Sequence, residues 1–220
     1  MRARVLAAVL GVITGSMTGM QAVAAGPRIE DAVAAYERGD LAAARAAFGR
    51  LAREGVAAAA YNLAVMHLRG ELPNASSAEA LRLMTRAAEA GFVTGLYGLA
   101  QLHELGQAGL AIDLVQANRW YLRAAEAGSV DGQVAIATAH YLGRGAPKDL
   151  ARAARWFRLA AQGGDVGAMY LYASMVETGH GVERDLNEAR YWYAAAARNG
   201  DDAAPSKVKE IDARLAAPAT

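Results

Sequence analysis

RAAEAGFVTG at residues 86–95 returns as RAAEAGSVDG at residues 123–132, 37 positions further along the chain. Self-similarity at a fixed distance marks a repeat architecture, so this phrase decides the fold. It closes on a glycine, and related endings recur: LAREG at Gly55, AAEAG at Gly91 and Gly128, AAQGG at Gly164 and AARNG at Gly200. Their successive spacings are 36, 37, 36 and 36 residues.

Fifteen residues before each glycine stand Asp40, Ser76, Asp113, Asp149 and Asp185. Asp and Ser are favoured helix N-caps, because a side-chain oxygen can accept from an orphan amide of the first turn. Ser76/Glu79, Asp113/Gln116 and Asp185/Glu188 have the spacing of reciprocal capping boxes. The glycines read as the left-handed residues that end a helix. Between each pair of markers the spacing predicts one helix of about four turns, the second of each repeat.

The first helix follows the glycine. Four residues on come Ala59, Gly95, Gly132 and Ala168; fifteen on come Gly70, Gly106, Gly143 and Gly179. Small residues at a repeated helical position predict a seam where two helix axes approach closely. The one extra residue of the 37-residue repeat falls in the loop GQAGLAID, residues 106–113, where insertions are tolerated. Trp120-Tyr121, Trp156-Phe157 and Trp192-Tyr193, with Ala47-Phe48 and Leu83-Met84 before them, mark the second helices. These pairs read as buried wedges between repeats.

Composition agrees. A quarter of the 220 residues are alanine and only five are proline, an all-α balance. Charge is even, 23 basic against 22 acidic, so no nucleic-acid footprint is present. With no cysteine, disulfides, thiolate zinc sites and cysteine nucleophiles are excluded. The first residues, MRARVLAAVLGVITGSMTGMQAVAAG, combine early arginines, a short apolar run and a small-x-small ending at Ala22-Val23-Ala24. That pattern predicts a signal peptide over 1–24, cut after Ala24 or Ala25, and a periplasmic or secreted protein. No stable membrane insertion is expected after cleavage, since the apolar run is too short.

GHGVERDLNEARYWYAAAARNG (179–200) and GRGAPKDLARAARWFRLAAQGG (143–164) resemble Sel-one-like repeats, a branch of the tetratricopeptide superfamily. The resemblance covers roughly residues 56–200. It implies a right-handed α-solenoid of helix–turn–helix repeats at 56–91, 92–128, 129–164 and 165–200. Residues 25–55 then form an N-terminal helical hairpin cap. Residues 201–220 form a C-terminal cap and tail, with Pro205 to Leu215 as a helix whose Lys207, Lys209, Glu210 and Asp212 suit a face toward water. The chain departs from the family where a tyrosine twelve residues after the glycine is His67, His103, His140 and Val176. The Gly-x-Gly loop is degraded in the first two repeats.

Three histidines at one repeat position invite a metal reading. Stacked helices, however, lie about 8–10 Å apart, while zinc ligands converge to about 2.1 Å from one ion. A half-buried, hydrogen-bonded imidazole is the expectation. HELGQ (103–107) begins like HExxH but lacks the second histidine. GRGAPK (143–148) resembles a phosphate loop only superficially. No nucleophile–base pair is suggested by any local motif, so a non-enzymatic protein without cofactor or metal is expected. Some cysteine-rich relatives handle β-lactams, and the lack of cysteine separates this chain from them.

In tetratricopeptide solenoids the first helices line the concave face. If these repeats behave alike, positions six, ten and thirteen after the glycine display Tyr61, Tyr97, Val134 and Tyr170; Val65, Gln101, Thr138 and Ser174; Leu68, Glu104, Tyr141 and Glu177. Tyr61, Tyr97, Gln101, Glu104, Thr138, Tyr141, Tyr170, Ser174 and Glu177 are therefore the candidate partner-binding residues. Tyrosine offers area and a polar tip, equally suited to filling space between helices. The resemblance implies an adaptor for a protein or peptide partner in the cell envelope, in signalling, secretion or assembly. A peptidoglycan or polysaccharide ligand is the competing class, and a β-lactam-handling enzyme the third.

Overall fold

The computed structural model describes residues 28–217; the expected signal peptide over 1–24 lies outside the described residues. The chain runs α1(Ile29–Glu37), α2(Leu41–Arg53), α3(Ala57–Leu68), α4(Ser77–Glu89), α5(Val93–Leu105) and α6(Leu114–Glu126). It continues α7(Val130–Leu142), α8(Leu150–Gln162), α9(Val166–Thr178), α10(Leu186–Arg198) and α11(Ala204–Ala216). Among the described residues there is no strand. Each helix packs against its neighbours in the chain, and α3 also touches α5. The result is an α-solenoid, with α3/α4, α5/α6, α7/α8 and α9/α10 as its helix pairs.

The helix boundaries follow local chemistry. Side chains of Asp40, Ser76, Asp113, Asp149 and Asp185 accept from the backbone N–H three residues on, at 2.9, 3.3, 2.9, 2.9 and 3.0 Å. The five repeat glycines adopt left-handed φ between +78° and +96°. The expected capping boxes are only half made. The N–H of Asp113, Asp149 and Asp185 donates instead to the carbonyl of His103, His140 and Val176, at 2.9, 2.9 and 3.2 Å. In the first repeat the Ser76 N–H reaches His67 Nδ1 at 3.2 Å. Carbonyls near the end of a helix lack internal partners, so the preceding helix supplies a better acceptor than a flexible side chain. Glu79 turns to Arg82 at 2.7 Å, and Glu188 accepts the Tyr172 hydroxyl at 3.0 Å.

The small-residue seam is present. Ala59 and Ala168 are buried, and a Cβ on Gly132 would sit 2.8 Å from the Ala125 nitrogen. The repeated Ala-Ala of one second helix thus receives the small position of the next first helix. The loop glycines have an equally concrete cause. A Cβ on Gly181 would lie 2.3 Å from the Leu150 carbonyl oxygen, where the loop rests on the start of the preceding α8. Ala108, two residues after Gly106 as Gly181 is after Gly179, carries φ +56°.

The aromatic pairs correct the expectation of two buried wedges. Tyr121, Phe157 and Tyr193 are buried, whereas Trp120, Trp156 and Trp192 are half-buried and pack on the margins of the core. Adjacent helical residues point about 100° apart, so only one of each pair can face inward. Trp120 instead carries the Arg123 guanidinium 4.6 Å from its ring, and Trp192 stands edge-on to Tyr172 at 5.8 Å.

Helix α11 occupies the place of a fifth first helix. Ala204 and Ile211, four and eleven residues after Gly200, are buried like their counterparts Ala168 and Met175. Its polar residues are not uniformly turned to water as expected. Lys207 points back into the stack, toward Glu177, while Asp212 pairs with Arg190 at the surface. No described helix is long and apolar enough to cross a membrane.

Candidate partner-binding site

Three side chains recur together in the second and fourth repeats. Tyr97 and Tyr170 stand six residues after their glycines, Glu104 and Glu177 thirteen after, and Tyr121 and Tyr193 eight after the N-caps Asp113 and Asp185. The Tyr97 and Tyr121 rings lie 5.3 Å apart, and the Tyr121 hydroxyl donates to Glu104 Oε2 at 2.6 Å. In the fourth repeat the Tyr170 and Tyr193 rings lie 5.0 Å apart, and the Tyr193 hydroxyl donates to Glu177 Oε2 at 3.0 Å. The first and third repeats place Leu68 with Met84 and Tyr141 with Phe157 at the matching positions. They have no carboxylate there.

Electrostatics separates the two copies. Burial opposes ionisation of Glu177, but the Tyr193 hydroxyl, Lys207 and Arg214 outweigh it and hold the carboxyl below its usual range. Arg214 reaches Oε1 at 2.6 Å and Lys207 reaches Oε2 at 3.4 Å. Glu104 has no such cation among the described residues. A cavity of about 140 Å³ opens beside it, lined by Tyr121 and Asn118 of α6, by Ala135 and Thr138 of α7, and by the exposed Arg144 of the following loop. Burial, reinforced by the bond to Glu104, pushes the Tyr121 phenol well above its ordinary range, so the hydroxyl remains a donor. Tyr172 is pushed up to about 12 by burial and then by its bond to Glu188.

The predicted residues fall into two groups. Tyr97, Gln101, Glu104, Thr138, Tyr170 and Ser174 are half-buried, and Tyr141 is exposed with its ring 6.4 Å from Phe157. These retain surface for a partner. Tyr61 and Glu177 do not. The Tyr61 ring packs 5.5 Å from Phe92, and Glu177, only 7% exposed, is saturated by its own chain. Both positions were read as groove residues by repeat equivalence, which is blind to what the following element places above them. Tyr121 and Asn118 were not among the predicted residues. The recurrence of tyrosine eight residues after Asp113 and Asp185 was the available signal.

Two of the histidines, His67 and His140, tie loops, whereas the His103 side chain forms no hydrogen bond among the described residues. His67 Nδ1 accepts from Ser76, and burial lowers its pKa, keeping the ring in the neutral acceptor form. His140 Nδ1 lies 3.2 Å from the Pro147 carbonyl. Among the described residues no group of three His, Cys, Asp or Glu could hold a metal ion.

The chain matches the family model for the Sel1 repeat at residues 57–92, 93–129, 130–165 and 166–201. Among solved structures it is similar to a Sel1 repeat protein from Oxalobacter formigenes, with 32% identity and a TM-score of 0.71. That match covers 76% of this chain and 49% of the other. It is also similar to a protective antigen of uropathogenic Escherichia coli strains that displays an SLR fold, with 28% identity and a TM-score of 0.74. There 80% of this chain and 38% of the other are covered. The chain therefore spans about half the length of the first relative and well under half of the second. No curated protein matches it. Four contiguous repeats over most of the described residues place the chain in the Sel1 repeat family of α-solenoids, which are generally non-catalytic scaffolds for protein–protein interaction.

Proposed function

We propose that this protein is an exported adaptor that binds a protein or peptide partner along the surface of its first helices. The observation that carries this reading is the half-buried row of Tyr97, Gln101, Glu104 and Thr138 beside a cavity of about 140 Å³. Tyrosine, amide, carboxylate and hydroxyl together offer contact area with hydrogen-bonding tips, the chemistry of a peptide groove. Export rests on the charged, apolar and small-residue sequence of the first 24 residues.

Bulky blocks at Gln101→Trp and Thr138→Trp would test the surface. Crosslinked capture of one dominant envelope protein by the natural chain, lost in both variants at unchanged helical circular dichroism, is the expected result. Equal capture by the variants would move the binding surface elsewhere. Mass analysis of the protein from its native host should find an N-terminus at Ala25 or Gly26; an intact Met1 would refute cleavage.

A further inference from the structure

The fourth repeat contains a carboxylate that its own chain satisfies. Glu177 lies beside Tyr193 and receives Arg214 at 2.6 Å and Lys207 at 3.4 Å. Those cations stand fourteen and seven residues after Gly200, on the helix that follows the repeat. The helix that follows the second repeat is α7. Fourteen and seven residues after Gly128 it carries Leu142 and Ala135. Leu142 is 53% exposed, and Ala135 lines the cavity next to Glu104. Glu104 and Tyr121 thus reproduce Glu177 and Tyr193, while the cations have been replaced by a methyl group and an outward leucine.

We infer that the Glu104–Tyr121 cavity is a receptor for one basic side chain, arginine or lysine, of a peptide partner. This rests on the binding surface proposed above and states what that surface selects. One water needs about 10–15 Å³ of such space, so a cavity of about 140 Å³ has room for a cationic head and part of its stem. The Tyr121 hydroxyl occupies Glu104 Oε2 at 2.6 Å, and Oε1 accepts no hydrogen bond among the described residues. Asn118 donates its side-chain amide to the Arg144 carbonyl at 2.7 Å, bracing the rim. Arg144 also lines the cavity, but its side chain is exposed to solvent and no ion pair joins it to Glu104 among the described residues. Charge-assisted bonds to a half-buried carboxylate are the stronger kind, and discrimination against a neutral isostere follows from the unpaired carboxylate left behind.

The test is a nuclear magnetic resonance titration of the full chain with two capped pentapeptides, Gly-Gly-Arg-Gly-Gly and its citrulline analogue. The arginine peptide should shift the amides of Ala135 and Thr138 saturably and bind at least about tenfold more tightly than the neutral analogue, a charge-assisted difference of about 1.4 kcal/mol. The preference should vanish in Glu104→Gln, which keeps an acceptor for Tyr121. A second variant, Ala135→Lys, grafts the cation of Lys207 into the cavity. It should block the arginine peptide and raise Tm by about 2–4 °C, a gain absent from Ala135→Lys/Glu104→Gln. Equal binding of the two peptides would overturn the basic-side-chain assignment while leaving a peptide-binding surface intact. No shift with either peptide, together with no Glu104-dependent gain in Ala135→Lys, would overturn it as well. Loss of partner capture in the tryptophan variants is read separately, so failure of the basic-side-chain assignment is distinguishable from failure of the adaptor reading.

Discussion

The second and fourth repeats carry the same tyrosine–glutamate–tyrosine set, yet one is closed and the other open. In the fourth, α11 lays Lys207 and Arg214 over Glu177. In the second, α7 lays Ala135 over Glu104 and leaves a cavity. The difference shows that a repeat position has no fixed role. Its neighbour in the next repeat decides whether the same carboxylate serves as structural glue or as accessible surface.

The largest effect tests what the two repeats share. Tyr193 and Tyr121 are both buried, so Tyr193→Ala and Tyr121→Ala should each cost about 3–5 kcal/mol in urea unfolding. A markedly smaller cost at Tyr121 would mean that the second repeat is more loosely built than the fourth. Substituting the half-buried Trp156 should cost less than substituting the buried Phe157, measured in the same way.

The carboxylates should separate more sharply. Glu177→Gln strips the counter-charge from two cations whose side chains are about a third exposed. Discounting for that exposure, a loss of about 1–2 kcal/mol is expected. Glu104→Gln should stay within about 0.5 kcal/mol. Equal losses would abolish the distinction between a closed and an open site.

Acid should open the closed site. Glu177 ionises below its ordinary value of 4.5, so its stabilising contribution is fully present above that pH. It is lost as pH falls through the lower folded-state value. Hydrogen exchange in α11 should therefore accelerate below about pH 4.5, before exchange in α5 and α6. Simultaneous loosening of all three would show that Glu177 does not anchor α11.

The smallest expected effect lies in the loops. Gly181 fits against Leu150 in the fourth repeat, whereas the second repeat has Ala108 at φ +56°. Left-handed backbone costs alanine about 1–2 kcal/mol, and glycine gives part of that back through its larger unfolded-state entropy. Ala108→Gly should raise stability by about 0.5–1 kcal/mol by thermal unfolding. A loss would indicate that this longer loop needs the alanine side chain.

Much of the fold was legible because it is encoded within single turns of helix. Asp40, Ser76, Asp113, Asp149 and Asp185 cap their helices through side chains three residues from the amides they satisfy. The repeat glycines are likewise local demands for left-handed backbone, and the Gly95 and Gly132 seam, though it serves the preceding helix, announces itself as a small residue recurring with the repeat. Such signals survive without knowledge of the neighbouring helix. The half-made capping boxes did not, because their backbone donors found acceptors on the preceding helix.

The sequence by itself determined the 36-residue period, the helix ends, the small-residue seam and the tyrosines and carboxylates available to the first-helix surface. Only the tertiary structure decided that Tyr121 rather than Trp120 faces inward, that Tyr61 is covered, and that Glu177 is filled while Glu104 is not. The physical reason is that these outcomes depend on helix rotation and on side chains contributed from the next repeat. Glu104 and Glu177 occupy the same register position in their own repeats; their surroundings diverge chiefly where α7 and α11 pack against them.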